Sequence, residues 1–234
     1  MSKQSPDGDR SRDPPITTAT VALDRSRLAP GSFRPPVVLS GRYVRLVPLS
    51  AEQLPGLVTS AADPEIWTYF RGGDLRTEAA MRTLITELLE RQADGTDLPF
   101  AVLDRSNDRP IGMSRYLEID RPNSGVEIGG TWLGREHWRT PLNTEMKLLM
   151  LCYAFEVGGV HRVQIKTDLR NERAQRAIER LGAVREGILR EHVLLGTGYR
   201  RSSVYYSVLE DEWPSVQLRL EGLLARPWDQ ARSG

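Results

Sequence analysis

The chain of 234 residues has one cysteine, Cys152, and three histidines, His137, His161 and His192, which lie far apart. One cysteine forms no intrachain disulfide, and with the histidines scattered no zinc-type ligand set emerges. Neither a disulfide framework nor a resident metal is therefore expected. Runs of roughly 18 apolar residues are absent, so no membrane-spanning helix is expected. The first residues, MSKQSPDGDRSRDPP, have no apolar segment of the kind a secretory signal needs. Charge of one sign is also lacking. The formal net charge is +1, so no bulk field favours nucleic acid or an anionic membrane as a partner. These absences together point to a reducing, cytoplasmic setting.

What is present is a core-forming composition, with 39% apolar and 27% charged residues, as in a soluble globular domain. Residues 1–36 are rich in Ser, Asp, Arg and Pro. They are expected to form a mostly disordered tail, because little apolar surface offsets the entropy of ordering it. Residues 37–228 are expected to form a single domain closed by a C-terminal helix. RYVRLVPL alternates like a strand, with Val44 and Leu46 on one side. AEQLPGLVTSAA reads as a helix broken near Pro55, and Asp63-Pro64 signals another helix start. Thr77 caps EAAMRTLITELLERQ, whose stripe is Met81, Leu84, Ile85, Leu88 and Leu89. Three strands follow in succession, PFAVLDR, PIGMSRYLEI and VEIGGTWL, split by the turns SNDRP and DRPNSG.

The stretch WLGREHWRTPLNTEMKLLML then passes from strand to loop to apolar helix. Asn143 or Thr144 is the expected N-cap. A helix start with unpaired N–H groups, plus Arg135 and Arg139, suits an anion such as phosphate. The same residues also read as an ordinary capped helix with two solvated arginines. Beyond it come a strand, HRVQIKTD, and a helix, NERAQRAIERLG, with Ala174, Ala177, Ile178 and Leu181 inward and Gly182 as its stop. Two more strands and the helix WPSVQLRLEGLLA complete the pattern.

This order resembles the GNAT acyltransferase superfamily, and within it the RimJ/RimL-like branch of N-acetyltransferases. The stretches that carry the resemblance are GRYVRLVPLS, PIGMSRYLEID, VEIGGTWLGREHWRTPLNTEMKLLMLCYAFE and RVQIKTDLRNERAQRAIERLGAVREGILR. It covers roughly residues 40–215. It implies an α/β (α+β) fold: a mixed, mostly antiparallel central sheet of about six to seven strands, flanked by helices on both faces. It implies acetyl-CoA as cosubstrate, without a metal, and transfer of the acetyl group to a primary amine by direct attack. The acceptor would be a protein or peptide N-terminus, an amino acid or a small amine. The two alternatives are an acyl-CoA-binding protein without catalysis and an enzyme using a longer acyl-CoA. A homodimer is left open.

The resemblance also assigns residues. The loop that holds the CoA diphosphate in such proteins follows Gln/Arg-x-x-Gly-x-Gly/Ala. Here it reads Trp138-Arg139-Thr140-Pro141-Leu142-Asn143, with Trp138, Pro141 and Asn143 as departures. Pro141 contributes no N–H. Trp138, Arg139, Thr140, Leu142, Asn143 and Thr144 are the expected phosphate-end residues, and the backbone of Trp132 and Leu133 the expected thioester and pantetheine contacts. Gly129-Gly130 permits a bulge that splays this strand from HRVQIKTD. Asn171 is expected to cap its helix and meet the CoA arm. Ala174 stands where the family often has a serine. Glu127 is the expected base, because the amine must lose a proton before it attacks. Its alternative role is a structural carboxylate paired with Arg115 or another cation. Glu145 is assigned to structure, and Cys152 to the core.

Overall fold

The computed structural model describes residues 37–227, so the expected tail over 1–36 lies outside the described residues. Strands β1 (Leu39–Ser40) and β2 (Val44–Pro48) open the fold. Ser50 and Gln53 form a reciprocal capping box that starts a 3-10 turn over Ala51–Gln53. The turn runs into α1 (Leu54–Ser60), with Pro55 in its first turn where a missing N–H costs nothing. Asp63 caps only a 3-10 turn over Pro64–Trp67, not a longer helix. Helix α2 (Glu78–Ala93) is capped by Thr77 and buries Met81, Ile85 and Leu88. The meander follows as β3 (Leu98–Asp104), β4 (Pro110–Asp120) and β5 (Gly125–Leu133). Helix α3 (Leu142–Cys152), a π turn at Tyr153–Val157, β6 (Arg162–Asp168) and α4 (Glu172–Leu181) come next. Then β7 (Val184–Leu194), β8 (Arg200–Leu209) and α5 (Trp213–Leu224) close it.

One sheet holds eight strands in the order β1-β2-β3-β4-β5-β6-β8-β7. That is one more than the upper expectation; the extra strand is the two-residue β1, too short for any periodicity to announce. All neighbours are antiparallel except β5 and β6. Strand β3 is central and apolar on both faces, hence its unbroken run of buried residues. Strand β7 is an edge, exposed along most of its length and charged, which discourages further pairing.

Alternation of side chains makes two cores. On one face, Val126, Ile128, Val163, Ile165, Val204 and Tyr206 pack against α3, α4 and α5. On the other, Ala101, Met113 and Trp132 pack against α1 and α2 through Leu57, Trp67 and Ile85. The polar residues Gln164, Lys166, Ser203 and Tyr205 occupy the alternate positions on β6 and β8.

Glu145 ties the helical layer to the sheet. It lies one turn into α3 and is 2% exposed. Its carboxylate accepts backbone N–H bonds from Arg42 (2.7 Å), Tyr43 (2.6 Å) and Val44 (2.8 Å). A Cβ at Gly41 would collide with that carboxylate, so this bend needs glycine. Burial pushes the Glu145 carboxyl above its ordinary range, and the three amides pull in the opposite direction.

Candidate active site

Strands β5 and β6 pair over only three residues, Gly125↔Arg162, Val126↔Val163 and Glu127↔Gln164. Both continue, β5 to Leu133 and β6 to Asp168, without further pairing to each other. The cause is local. Gly130 has φ +58, a backbone conformation that a side chain would strain, and the β4–β5 register slips by one residue around it. The bulge turns β5 away from β6. From Ile128 onward β5 therefore has an edge, inside the sheet, that β6 does not occupy.

Glu127 sits at the last rung before this parting and is 3% exposed. Its Oε2 accepts from Gln164 Nε2 at 2.9 Å and lies 2.7 Å from Lys166 Nζ. Arg115 instead pairs with Asp97 at 3.2 Å. Burial raises the Glu127 carboxyl above its ordinary value, more than Lys166 and Gln164 lower it. Burial acts to lower Lys166, but its bonded carboxylate outweighs that and raises it. Lys166 also reaches Glu118 at 3.3 Å and lies 5.6 Å from the Tyr205 ring. A raised carboxylate at the rim of a strand gap is suited to accept a proton.

The loop after β5 is built by side chains. Trp138 Nε1 donates to the Leu133 carbonyl at 2.9 Å. Arg135 and Arg173 cover the indole, 4.6 Å and 3.2 Å from a ring centroid. Glu65 bridges those arginines at 3.1 Å and 3.3 Å. Arg139 has φ +61, so it adopts a bend usually left to glycine. Helix α3 starts at Leu142 with Pro141 as cap, two to three residues earlier than the expected Asn143 or Thr144. The reason is Thr140: its hydroxyl accepts the Leu142 N–H at 3.3 Å and donates to the His137 carbonyl at 2.7 Å. Asn143 and Thr144 thus lie in the first turn, where amides have no intrahelical acceptor. The Thr144 hydroxyl is already engaged, accepting from Arg180 at 2.9 Å.

Trp132 turns its side chain to the α1/α2 core and Leu133 to the α3 core, so only their backbone faces the gap. Asn171 caps α4 as expected, accepting the Ala174 N–H at 3.0 Å. On the rim, Arg170 is held by Asp168 at 3.0 Å and stacks 3.6 Å from the Tyr199 ring centroid, with Tyr69 at 5.5 Å.

Residues 44–184 match the family described as "Acetyltransferase (GNAT) domain". The chain belongs to the GNAT acetyltransferase family. Its members move an acetyl group from acetyl-CoA to an amine, and this GNAT chain is an N-acetyltransferase of that kind. It is similar to the Bacillus subtilis (strain 168) protein named "Probable N-acetyltransferase YjcK", with 30% identity over 160 residues, 67% of this chain and 88% of that one. The crystal structure of a GCN5-related N-acetyltransferase from Brucella melitensis is 29% identical with a TM-score of 0.78, covering 87% of this chain and 92% of that one. The fold is also that of Mycobacterium smegmatis RimJ in complex with CoA-disulfide, at 17% identity and a TM-score of 0.68, covering 80% of this chain and 91% of that one. Among the described residues no helix is long and apolar enough to cross a membrane.

Several residues of this candidate site escaped the sequence reading. Lys166 and Gln164 alternate with Val163 and Ile165 in HRVQIKTD, a pattern that marks a polar face but names no partner. Lys147 is the other. It interrupts the apolar face of α3, is 5% exposed, and donates to Thr131 Oγ1 at 2.8 Å. Burial lowers its ammonium from 10.5 to about 7. Between those values the unfolded chain holds a proton that the folded protein has released. Folding stability should therefore rise with pH from about 7 to 10.5 and be lowest, for this group, below 7. Lys147→Met should remove that slope, read by denaturant unfolding across this range. An unchanged slope would place the titration elsewhere.

Proposed function

We propose that the parted strands β5 and β6 hold acetyl-CoA, with its phosphates at the start of α3, and that a primary amine meets the thioester at Glu127. The observation that carries this is the loss of β5–β6 pairing immediately after Glu127↔Gln164. The residues fit the ligand. The edge of β5 from Ile128 to Leu133 offers backbone groups to the amides of a pantetheine arm. The first-turn amides of Asn143 and Thr144, the helix dipole and the Arg139 cation offer an anion site that offsets the donor missing at Pro141. The Asn171 side chain keeps its amide N–H groups for the CoA arm while its oxygen caps α4.

Acetyl-CoA supplies the activated acyl group. The chain supplies position and proton transfer. Glu127 takes the proton that blocks the amine lone pair, and Lys166 favours its charged form against the burial that raises it. The acceptor is a protein or peptide N-terminus, an amino acid or a small amine. The aromatic and cationic rim of Tyr69, Tyr199 and Arg170 is where its remainder would lie. A cytoplasmic setting accords with the single, buried, reduced Cys152.

Ligand binding tests this without an acceptor. A ligand bound only by the folded state stabilises it by RT ln(1 + [L]/Kd), about 2.7 kcal/mol at 100 Kd. CoA and acetyl-CoA should each raise Tm in a concentration-dependent way, and Arg139→Ala should weaken the response. A flat Tm up to millimolar CoA would overturn the cofactor assignment. An amine panel monitored by release of free CoA then identifies the acceptor class.

A further inference from the structure

We propose that Lys147 and the Thr131 hydroxyl form a proton-delivery pair for the departing sulfur of CoA. This rests on the acetyl-CoA reading above. Thr131 follows the bulged Gly130 and belongs to the part of β5 that has left β6. Its Oγ1 accepts from Lys147 Nζ at 2.8 Å and lies 2.7 Å from Ser114 Oγ. With Ser114 donating as well, the Thr131 oxygen accepts twice and its own proton is left for a group in the gap. Lys147 is set on α3, beneath the strand whose edge is proposed to hold the thioester.

The surroundings say what this lysine is not. A buried cation kept for structure is expected to have a carboxylate beside it. Among the described residues the Lys147 ammonium donates to a hydroxyl, not to a carboxylate. On its own helix, Glu145 is committed to the amides of Arg42, Tyr43 and Val44. From α4, Arg180 is bonded to Thr144. From β5, Glu127 is paired with Lys166, and from β4, Arg115 with Asp97. The Tyr116 hydroxyl of β4 donates to the Met150 carbonyl. Burial alone accounts for the lowered ammonium. At about 7 it is a stronger acid than an ordinary alkyl thiol, near ~8.5, so passing its proton to a thiolate is downhill.

The step balances. The amine nitrogen forms the bond to the acyl carbon, the C–S bond breaks with its electron pair on sulfur, and Thr131 relays the Lys147 proton to that sulfur. Two protons leave the nitrogen, the ammonium proton before attack and an N–H proton after it. Glu127 accepts each in turn and releases it to solvent, and Lys147 regains one from solvent, so one proton is released overall.

Turnover with an acceptor from the amine panel is followed against pH, with CoA binding checked by the Tm response. Wild-type kcat should fall on the alkaline side as Lys147 loses its proton, from about 7 upward. Lys147→Met should remove that alkaline limb and lower kcat by roughly 10²–10⁴-fold while still binding acetyl-CoA. Thr131→Val should lower kcat without removing a charge, and it serves if Lys147→Met does not fold. Equal kcat and pH profiles in wild type and variants, with CoA bound in each, would overturn the pair and leave the cofactor site standing. Absence of CoA binding to wild type would overturn both.

Discussion

Glu127→Gln should lower kcat by roughly 10²–10⁴-fold with CoA affinity nearly unchanged, because general-base help is typically of that size. A primary amine is mostly protonated at neutral pH, and an ammonium has no lone pair to attack with. Glutamine keeps the shape and can keep a hydrogen bond to Lys166, now 2.7 Å from the carboxylate, but it accepts no proton. Burial places the Glu127 carboxyl above its ordinary range, so the acid limb of the wild-type pH profile should lie above that of a free carboxylate. Lys166→Met sharpens the test. Removing the cation favours the neutral carboxyl, so that limb should move to higher pH. Near-wild-type kcat in Glu127→Gln, measured with an acceptor from the amine panel, would make Glu127 a structural partner of Lys166 and nothing more.

Glu145→Ala should cost about 3–5 kcal/mol of stability, the range for deleting one partner of a buried charged network. Three backbone N–H groups, of Arg42, Tyr43 and Val44, would lose their acceptor together. Each buried donor left unmade costs on the order of 1–3 kcal/mol. For a chain of this size the loss corresponds to a fall in Tm of roughly 10 °C. Glu145→Gln should fall between the two, since one carbonyl oxygen remains and an NH2 group now meets an amide. Thermal unfolding with and without CoA measures it. A change below about 1 kcal/mol for the alanine variant would mean the carboxylate is replaceable by water.

Much of the scaffold was legible from periodicity and punctuation. The β3–β5 meander, the Thr77 cap of α2 and the left-handed Gly182 after α4 all stand where pattern put them. The bulge at Gly129-Gly130 was legible too, because paired glycines in a strand have few other uses. The start of α3 was not. Thr140 caps from two residues outside the helix, and Asn143 and Thr144 are better caps on residue type alone. Polar pairings across the sheet were the least legible. That Lys166, rather than Arg115, faces Glu127 depends on a parallel register between strands 37 residues apart. Lys147 was visible only as a charge out of place in an apolar helix; its partner Thr131 required the bulge to turn it inward.

The three rungs joining β5 to β6 have a mechanical consequence. The sheet is two plates, β1–β5 and β6–β8, meeting at a short seam, and the second layer of α3 is what bridges them from one side. A cosubstrate seated along the parted edge would act as a splint, supplying the rungs the backbone omits. Rigidity of the whole sheet would then be borrowed from the ligand during the chemical step and returned when CoA leaves. Turnover and stiffness would be one cycle, with the loosest form of the enzyme being the one that has just released its product.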